Sequence, residues 1–303
     1  MNAVHPLFRA AAAYADEARA AAYPHILCVV EASPDGEAAF LHALRIALAG
    51  PSKLTLLHVG AEPPDRSLWS RLPGVRETLV RWGHIEPEVD KAEVAERVGI
   101  VVTKFAVRDE DLAAAVSEFA MRQPTHLVVM ATSDDSRRRL IRSGSAELRV
   151  LRQAKVPMLI LPRGAAGFVN PQTGQTRLRD LLVPVDHQPD ARTTLALAGT
   201  LCEDLAEGMV EARALYAGSV DAVPRYLLSS TPSCHWDWQL TDADLLEAVE
   251  AQPADLIAVP TAGPDGLRER FTGSTFDRLL ARLRCPVLAV PAAEPGAEHP
   301  AEE

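Results

Sequence analysis

Two Gly-Ser pairs have the clearest capacity for chemistry. Gly273-Ser274 follows an apolar run, Leu256 to Val259, and a loop that holds Gly263 and Gly266. A run of that length bounded by Pro and Gly reads as a buried strand. From Ser274 onward, Phe276, Leu279, Leu280 and Leu283 fall on one helical stripe. A strand that feeds a glycine loop and then a helix N-terminus can hold an anion. The first N–H groups of a helix lack partners and its dipole favours negative charge. Glycine also lets a phosphate approach backbone that any Cβ would obstruct. A serine at a helix start serves equally as an N-cap, and the two roles are compatible.

The same arrangement occurs earlier, where Leu127 to Met130 precede a polar loop ending in Gly144-Ser145. Gly273 lies 129 residues after Gly144, and Pro286 lies the same 129 residues after Pro157. A constant offset marks an internal duplication. Each copy opens with an apolar strand that ends in a carboxylate, Glu31 in the first and Asp186 in the second. Those two are 155 residues apart, so the second copy is 26 residues shorter in its middle.

The elements that must position these residues alternate between strand and helix. In the first copy the strand at 26–30 is followed by a helix over 35–48 and a strand over 54–59. A long connection, Gly60 to Gly99, carries Pro63-Pro64, Trp69, Trp82 and a charged helix, and is read as a cap over the sheet. Strands over 100–105, 127–130 and 158–161 then alternate with helices over 110–122 and 145–154. The second copy repeats the pattern, with strands over 181–185, 211–216, 233–240, 256–259 and 287–290, and with helices over 190–207, 242–251 and 274–283. Strands joined by helix-length crossovers pair in parallel. The predicted fold is α/β: two tandem doubly wound, mainly five-stranded parallel sheets with helices on both faces. The expected division is an N-terminal helix over 1–24, a first domain over 25–163, a linker over 164–178, a second domain over 179–292, and a disordered acidic tail over 293–303. The last strand of each copy is a short apolar edge that needs cover, and pairing of the two would supply it.

Composition narrows the function. With 48% hydrophobic residues and a mean hydropathy of −0.01, the 303-residue chain has an ordinary globular make-up. A net charge of −10 argues against binding a phosphate backbone, which is held mainly by Lys and Arg. Cys28, Cys202, Cys234 and Cys285 are widely spaced and read as buried thiols of a reducing compartment. No run approaches the roughly 18 apolar residues needed to span a bilayer, so a cytoplasmic location without membrane insertion is expected.

With these residues in view, each copy resembles a universal stress protein domain, and the chain resembles a tandem universal stress protein over roughly 25–162 and 180–291. The resemblance rests on the strand ending in Asp, the late strand followed by spaced glycines and Gly-Ser, and the closing strand Cys285 to Val290. It implies that the carboxylate of the first strand and backbone at the end of the second strand meet adenosine, and that the glycine loop and Gly-Ser hold phosphates. Carried onto this sequence, the second copy supplies Pro184, Asp186, Ala217, Gly263, Gly266, Gly273 and Ser274, with Pro260 where the first loop glycine is expected. The first copy supplies only Glu31, Val59, Gly144 and Ser145, with Ala131 and Asp134 replacing both loop glycines. Asp134 and Asp135 oppose a phosphate by like charge, whereas Arg137, Arg138, Arg139 and Arg142 either neutralise an anion or form a solvated basic loop.

The expectation is therefore a non-enzymatic regulatory or interaction module, with a degraded nucleotide site in the first copy and a partial one in the second. The alternative is an ATP or AMP switch with weak ATPase activity through the second copy, for which ATP, ADP or AMP is the cofactor. A homodimer, or a protein partner docking on the N-terminal helix or the 60–99 insertion, completes the expectation. No metal is expected: Cys234, His235 and Asp237 crowd one extended segment and cannot alone surround an ion tetrahedrally. Trp236 and Trp238 share a strand face and read as core or interface, and His58 reads as a satisfied histidine or a ligand contact. No catalytic residue set is visible.

Overall fold

The computed structural model describes residues 24–60, 67–132, 145–165, 167–261 and 273–292. The expected N-terminal helix and tail lie outside the described residues, as do Gly144, Gly263, Gly266, Asp134 and the arginine run.

Apolar runs become strands throughout. The first half contains β1 (His25–Val29), β2 (Ser52–Gly60), β3 (Ile100–Arg108), β4 (Leu127–Ala131) and β5 (Met158–Leu161). The second contains β6 (Asp180–Val185), β7 (Val210–Ala217), β8 (Cys234–Thr241), β9 (Leu256–Thr261) and β10 (Val287–Pro291). Crossovers are made by α1 (Pro34–Ala47), α5 (Leu112–Arg122), α6 (Ala146–Ala154), α7 (Arg192–Leu205), α8 (Leu245–Ala251) and α9 (Gly273–Arg282). The long connection of the first half carries α2 (Leu68–Arg71), α3 (Val75–Arg81) and α4 (Lys91–Val98).

The two sets of five parallel strands form one ten-stranded sheet, in the order β3-β2-β1-β4-β5-β10-β9-β6-β7-β8. Only the join is antiparallel: Leu288 lies opposite Leu159, and Ala289 opposite Met158. The short closing strands thus cover each other's edges, as their apolar character required. Side chains alternate across the sheet. Ile26, Cys28 and Val30 face a core shared with α1 and α7, while Leu27 and Val29 face the core built by α5, α6, α8 and α9. Among the described residues no helix is long and apolar enough to cross a membrane.

Both long connections are tightly packed. In the insertion, Leu79, Trp82, Ile85 and Val89 are buried in the core that α1 forms with Cys28 and Leu56 of the sheet. The Trp82 indole N–H donates to the Pro171 carbonyl (3.2 Å), and its ring lies against Gly174, where a Cβ would come within 2.6 Å. The 164–178 segment, which joins β5 to β6, is packed as well. Phe168 and Leu178 are each 2% exposed, and Val169 bridges Thr176 in antiparallel fashion.

His42 of α1 fastens this segment. Its Nδ1–H donates to the Ala38 carbonyl (2.7 Å), and its Nε2 accepts the Phe168 N–H (3.0 Å). Both ring nitrogens are therefore used by the neutral form, and burial pushes its pKa down to about 4. Gly167 (φ +68°) passes so close to the imidazole that a Cβ would meet it at 2.2 Å.

Candidate functional site

In an open α/β sheet a ligand sits beyond the carboxyl ends of the strands, and the sequence candidates gather at two such places. In the first half, Val30 N–H donates to the Leu57 carbonyl (2.9 Å) and His58 Nδ1–H donates to the Val30 carbonyl (3.1 Å). This knits the ends of β1 and β2 together and sets half-buried Glu31 and Val59 at the rim. Ser33 caps α1 by accepting the Gly36 N–H (3.0 Å). A Cβ on Gly36 would stand 2.6 Å from the Glu31 carbonyl, so glycine permits that close entry.

Ser145 is buried and acts as the N-cap of α6, accepting the Leu148 N–H (3.2 Å). Two residues on, Glu147 is 0% exposed. Burial, then the nearby carboxylates of Glu147 and Asp35, hold the Glu31 carboxyl above its usual range, partly offset by His58. Asp35 also accepts the Gly164 N–H (2.9 Å). Three carboxylates, of Glu31, Asp35 and Glu147, are thus close enough beyond β1 to act on one another.

The second half differs. The register pairs Pro184 with Leu215 and Val185 with Tyr216, which brings Asp186 level with Ala217 across the ends of β6 and β7. Pro184 itself is buried within β6. The Asp186 Oδ1 accepts the N–H of its neighbour His187 (2.8 Å). The segment after β7 then folds back over these strand ends. The Tyr226 hydroxyl donates to the Asp186 carbonyl (3.1 Å) and accepts the Ala191 N–H (3.2 Å). His187 Nε2–H donates to the Ala222 carbonyl (2.9 Å), with its ring edge-on to Tyr216 (5.9 Å). Burial raises the Tyr226 pKa, so its hydroxyl stays protonated and able to donate.

Gly273 begins α9, while Gly263 and Gly266 fall outside the described residues. Pro260 and Ala131 are not loop residues as expected. Pro260 pairs in register with Val290 and Ala131 with Leu161, so both prolong their strands, β9 and β4, to the rim. Trp236 is buried against α7 near Gly199, and His235 and Asp237 point outward. Among the described residues no three His, Cys, Asp or Glu side chains gather as metal ligands. A shallow depression of about 410 Å³, lined by Thr176, Leu178, Arg179, Glu207, Gly208 and Met209, lies at the amino end of β7, away from both crevices.

Two residues that shape these crevices were not legible beforehand. Glu147 looks like an ordinary acidic residue in a first helical turn, and only its burial reveals it. Tyr226 sits in a segment without periodicity, where no pattern ties it to Asp186.

Comparison with known proteins agrees with this architecture. The model of the universal stress protein family matches residues 22–162 and 237–291. A universal stress protein from Archaeoglobus fulgidus aligns at 14% identity over 88% of this chain and 98% of that one, with a TM-score of 0.51. Another, from Pseudomonas aeruginosa UCBPP-PA14, aligns at 17% identity over 89% and 94%, with a TM-score of 0.54. At such identities the likeness speaks for the fold alone. A universal stress protein solved with cAMP covers 46% of this chain with a TM-score of 0.35, too low to carry its ligand across. No curated protein sequence matches the chain.

Proposed function

The chain belongs to the universal stress protein family, and from that premise we propose that it is a non-enzymatic stress-response module. In this reading the units 25–163 and 179–292 share one fold but not one ligand chemistry. The first has lost adenine-nucleotide binding, and the second retains a partial site at Asp186 and Ala217, with Gly263, Gly266, Gly273 and Ser274 as its phosphate side.

The observation that carries the reading is the carboxylate cluster of Glu31, Asp35 and Glu147. Burial and mutual repulsion already oppose the charge on Glu31, and a triphosphate there would add like charge in a partly dry crevice. The residues present do not fit a nucleotide. In the second half, Asp186 is half-buried at the end of β6, level with Ala217 of β7. That geometry fits an adenosine once the segment bearing Tyr226 moves aside. Protein partners would then reach the chain through residues 1–24 or the outward side of the 60–99 insertion.

Titration calorimetry with ATP, ADP and AMP tests the proposal. Binding is expected to be weak, confined to one site, lost in Asp186→Ala and unchanged in Glu31→Ala. Two sites, or a site sensitive to Glu31→Ala, would overturn it. The second reading, an ATP switch with slow hydrolysis, is favoured by the position of Asp186. It requires millimolar ATP to raise the melting temperature by linkage and Gly273→Asp to abolish that rise.

A further inference from the structure

We propose that Cys202 and Cys234 form a thiol pair that a peroxide converts into an internal disulfide, clamping the last turn of α7 to the first residue of the edge strand β8. Both side chains are fully buried in the same core, and a side-chain hydrogen bond joins the two thiols. Helix and strand are packed together there: a Cβ on Gly199, three residues before Cys202, would stand 3.6 Å from the indole of Trp236, two residues after Cys234. Closing a bond of about 2 Å between the two sulfur atoms then asks their side chains to approach within that shared core.

The two thiols are not equivalent. The hydrogen bond from Cys202 holds the Cys234 thiol below its usual range, and the same bond, with burial, raises Cys202. The thiolate is the nucleophile, so Cys234 is the attacking sulfur and Cys202 the resolving one. The remaining cysteines are unlike this pair. Burial pushes Cys28 up, and its Sγ–H lies toward the carbonyl of Val29 (3.8 Å). Cys285 is pushed up to about 12, first by burial.

Access to Cys234 comes from its place in the sheet. β8 is an edge strand, paired only with β7. The residues leading into it, 223–233, form neither helix nor strand, and Leu227 among them is 89% exposed. Local opening of that segment bares the thiol without breaking the central sheet.

The chemistry balances with hydrogen peroxide as oxidant. The Cys234 thiolate attacks one peroxide oxygen and the O–O bond breaks. The departing hydroxide takes the thiol proton as water, leaving a sulfenic acid. The Cys202 sulfur then attacks the sulfenic sulfur, and the S–O bond breaks. The second hydroxide leaves as water with the Cys202 proton. Two thiols and one peroxide give one disulfide and two waters, with two electrons passing from sulfur to oxygen. The closed ring brackets residues 203–233, which include β7, Ala217 and Tyr226. Oxidation would therefore tether the segment that lies over Asp186. This inference stands independently of whether a nucleotide binds.

The test uses the full chain treated with hydrogen peroxide, blocked at its free thiols, digested without reductant and mapped by mass spectrometry. The expected product is a Cys202–Cys234 peptide pair lighter by two hydrogens, reversed by dithiothreitol, and formed equally in the Cys28→Ser, Cys285→Ser double variant. The oxidised protein should melt about 10 °C higher, a shift absent from Cys202→Ala and Cys234→Ala. Should either variant fail to fold, the peptide map of the unaltered chain decides alone. Recovery of both cysteines as blocked thiols after native oxidation, or as separate sulfinic acids without the cross-link, would overturn the proposal.

Discussion

At the carboxyl end of β1 the half-buried carboxylate of Glu31 feels those of Glu147 and Asp35, whereas at the carboxyl end of β6 the Asp186 carbonyl accepts a hydrogen bond from the Tyr226 hydroxyl. The connections that follow the second strand of each half differ in the same sense. After β2 the chain runs sideways to bury Leu79 and Trp82 against α1 and the 164–178 segment. After β7 the shorter connection folds back on its own strand ends through Tyr226. The two strand ends thus differ in kind, with crowded carboxylates in one half and a folded-back connection in the other. Coverage is reversible by a loop movement, whereas a carboxylate built into a helix turn is not.

The largest expected effect probes the sideways connection. Trp82→Ala removes a buried indole and its hydrogen bond to Pro171, and should cost about 3–5 kcal/mol in urea unfolding. A loss under about 1 kcal/mol would mean that the insertion is detachable after all and would break the contrast with the second half. Next comes acidification. His42 titrates near 6.5 in the unfolded chain and at about 4 in the folded one, so the unfolded state binds more protons between those values. Stability is complete above pH 6.5 and falls as pH drops toward 4, by about 2 kcal/mol at pH 5 from this residue. Amide exchange should report it first at Phe168, whose N–H is held by His42. An unchanged exchange rate there at pH 5 would remove His42 from the account. The smallest effect concerns the crevice. Because the Glu31 pKa is raised, its charge opposes folding above that pKa. Glu31→Gln should therefore raise the melting temperature at pH 7 by about 1–3 °C, with no gain where Glu31 is already protonated. A lower melting temperature at pH 7 would show that the carboxylate is instead stabilised there.

Much of the fold was legible in the sequence because strands buried on both faces must be continuously apolar, as at Leu127 to Met130 and Leu256 to Val259. The duplication followed from spacing alone. What escaped was whatever depends on long-range packing. Phe168, Val169 and Leu178 carry no period, so the burial of the 164–178 connection could not be read. Pro260 was expected in the loop because it bounds the apolar run and stands where the first loop glycine is expected, yet it pairs with Val290 within β9. Of the candidate site, the strand-end positions of Glu31 and Asp186 could be read from the ends of apolar runs. Glu147, Tyr226 and the meeting of Cys202 with Cys234 join residues far apart in sequence, which no local pattern encodes.

The antiparallel seam between β5 and β10 gives the chain a built-in mate. In a fragment severed between the halves, Met158–Leu161 or Val287–Pro291 would be left with a bare row of amide and carbonyl groups. Such pieces would recombine with each other, or each with its own twin, along that row. Covalent fusion of the two copies keeps the matching strand always within reach, so the seam closes independently of how dilute the protein is.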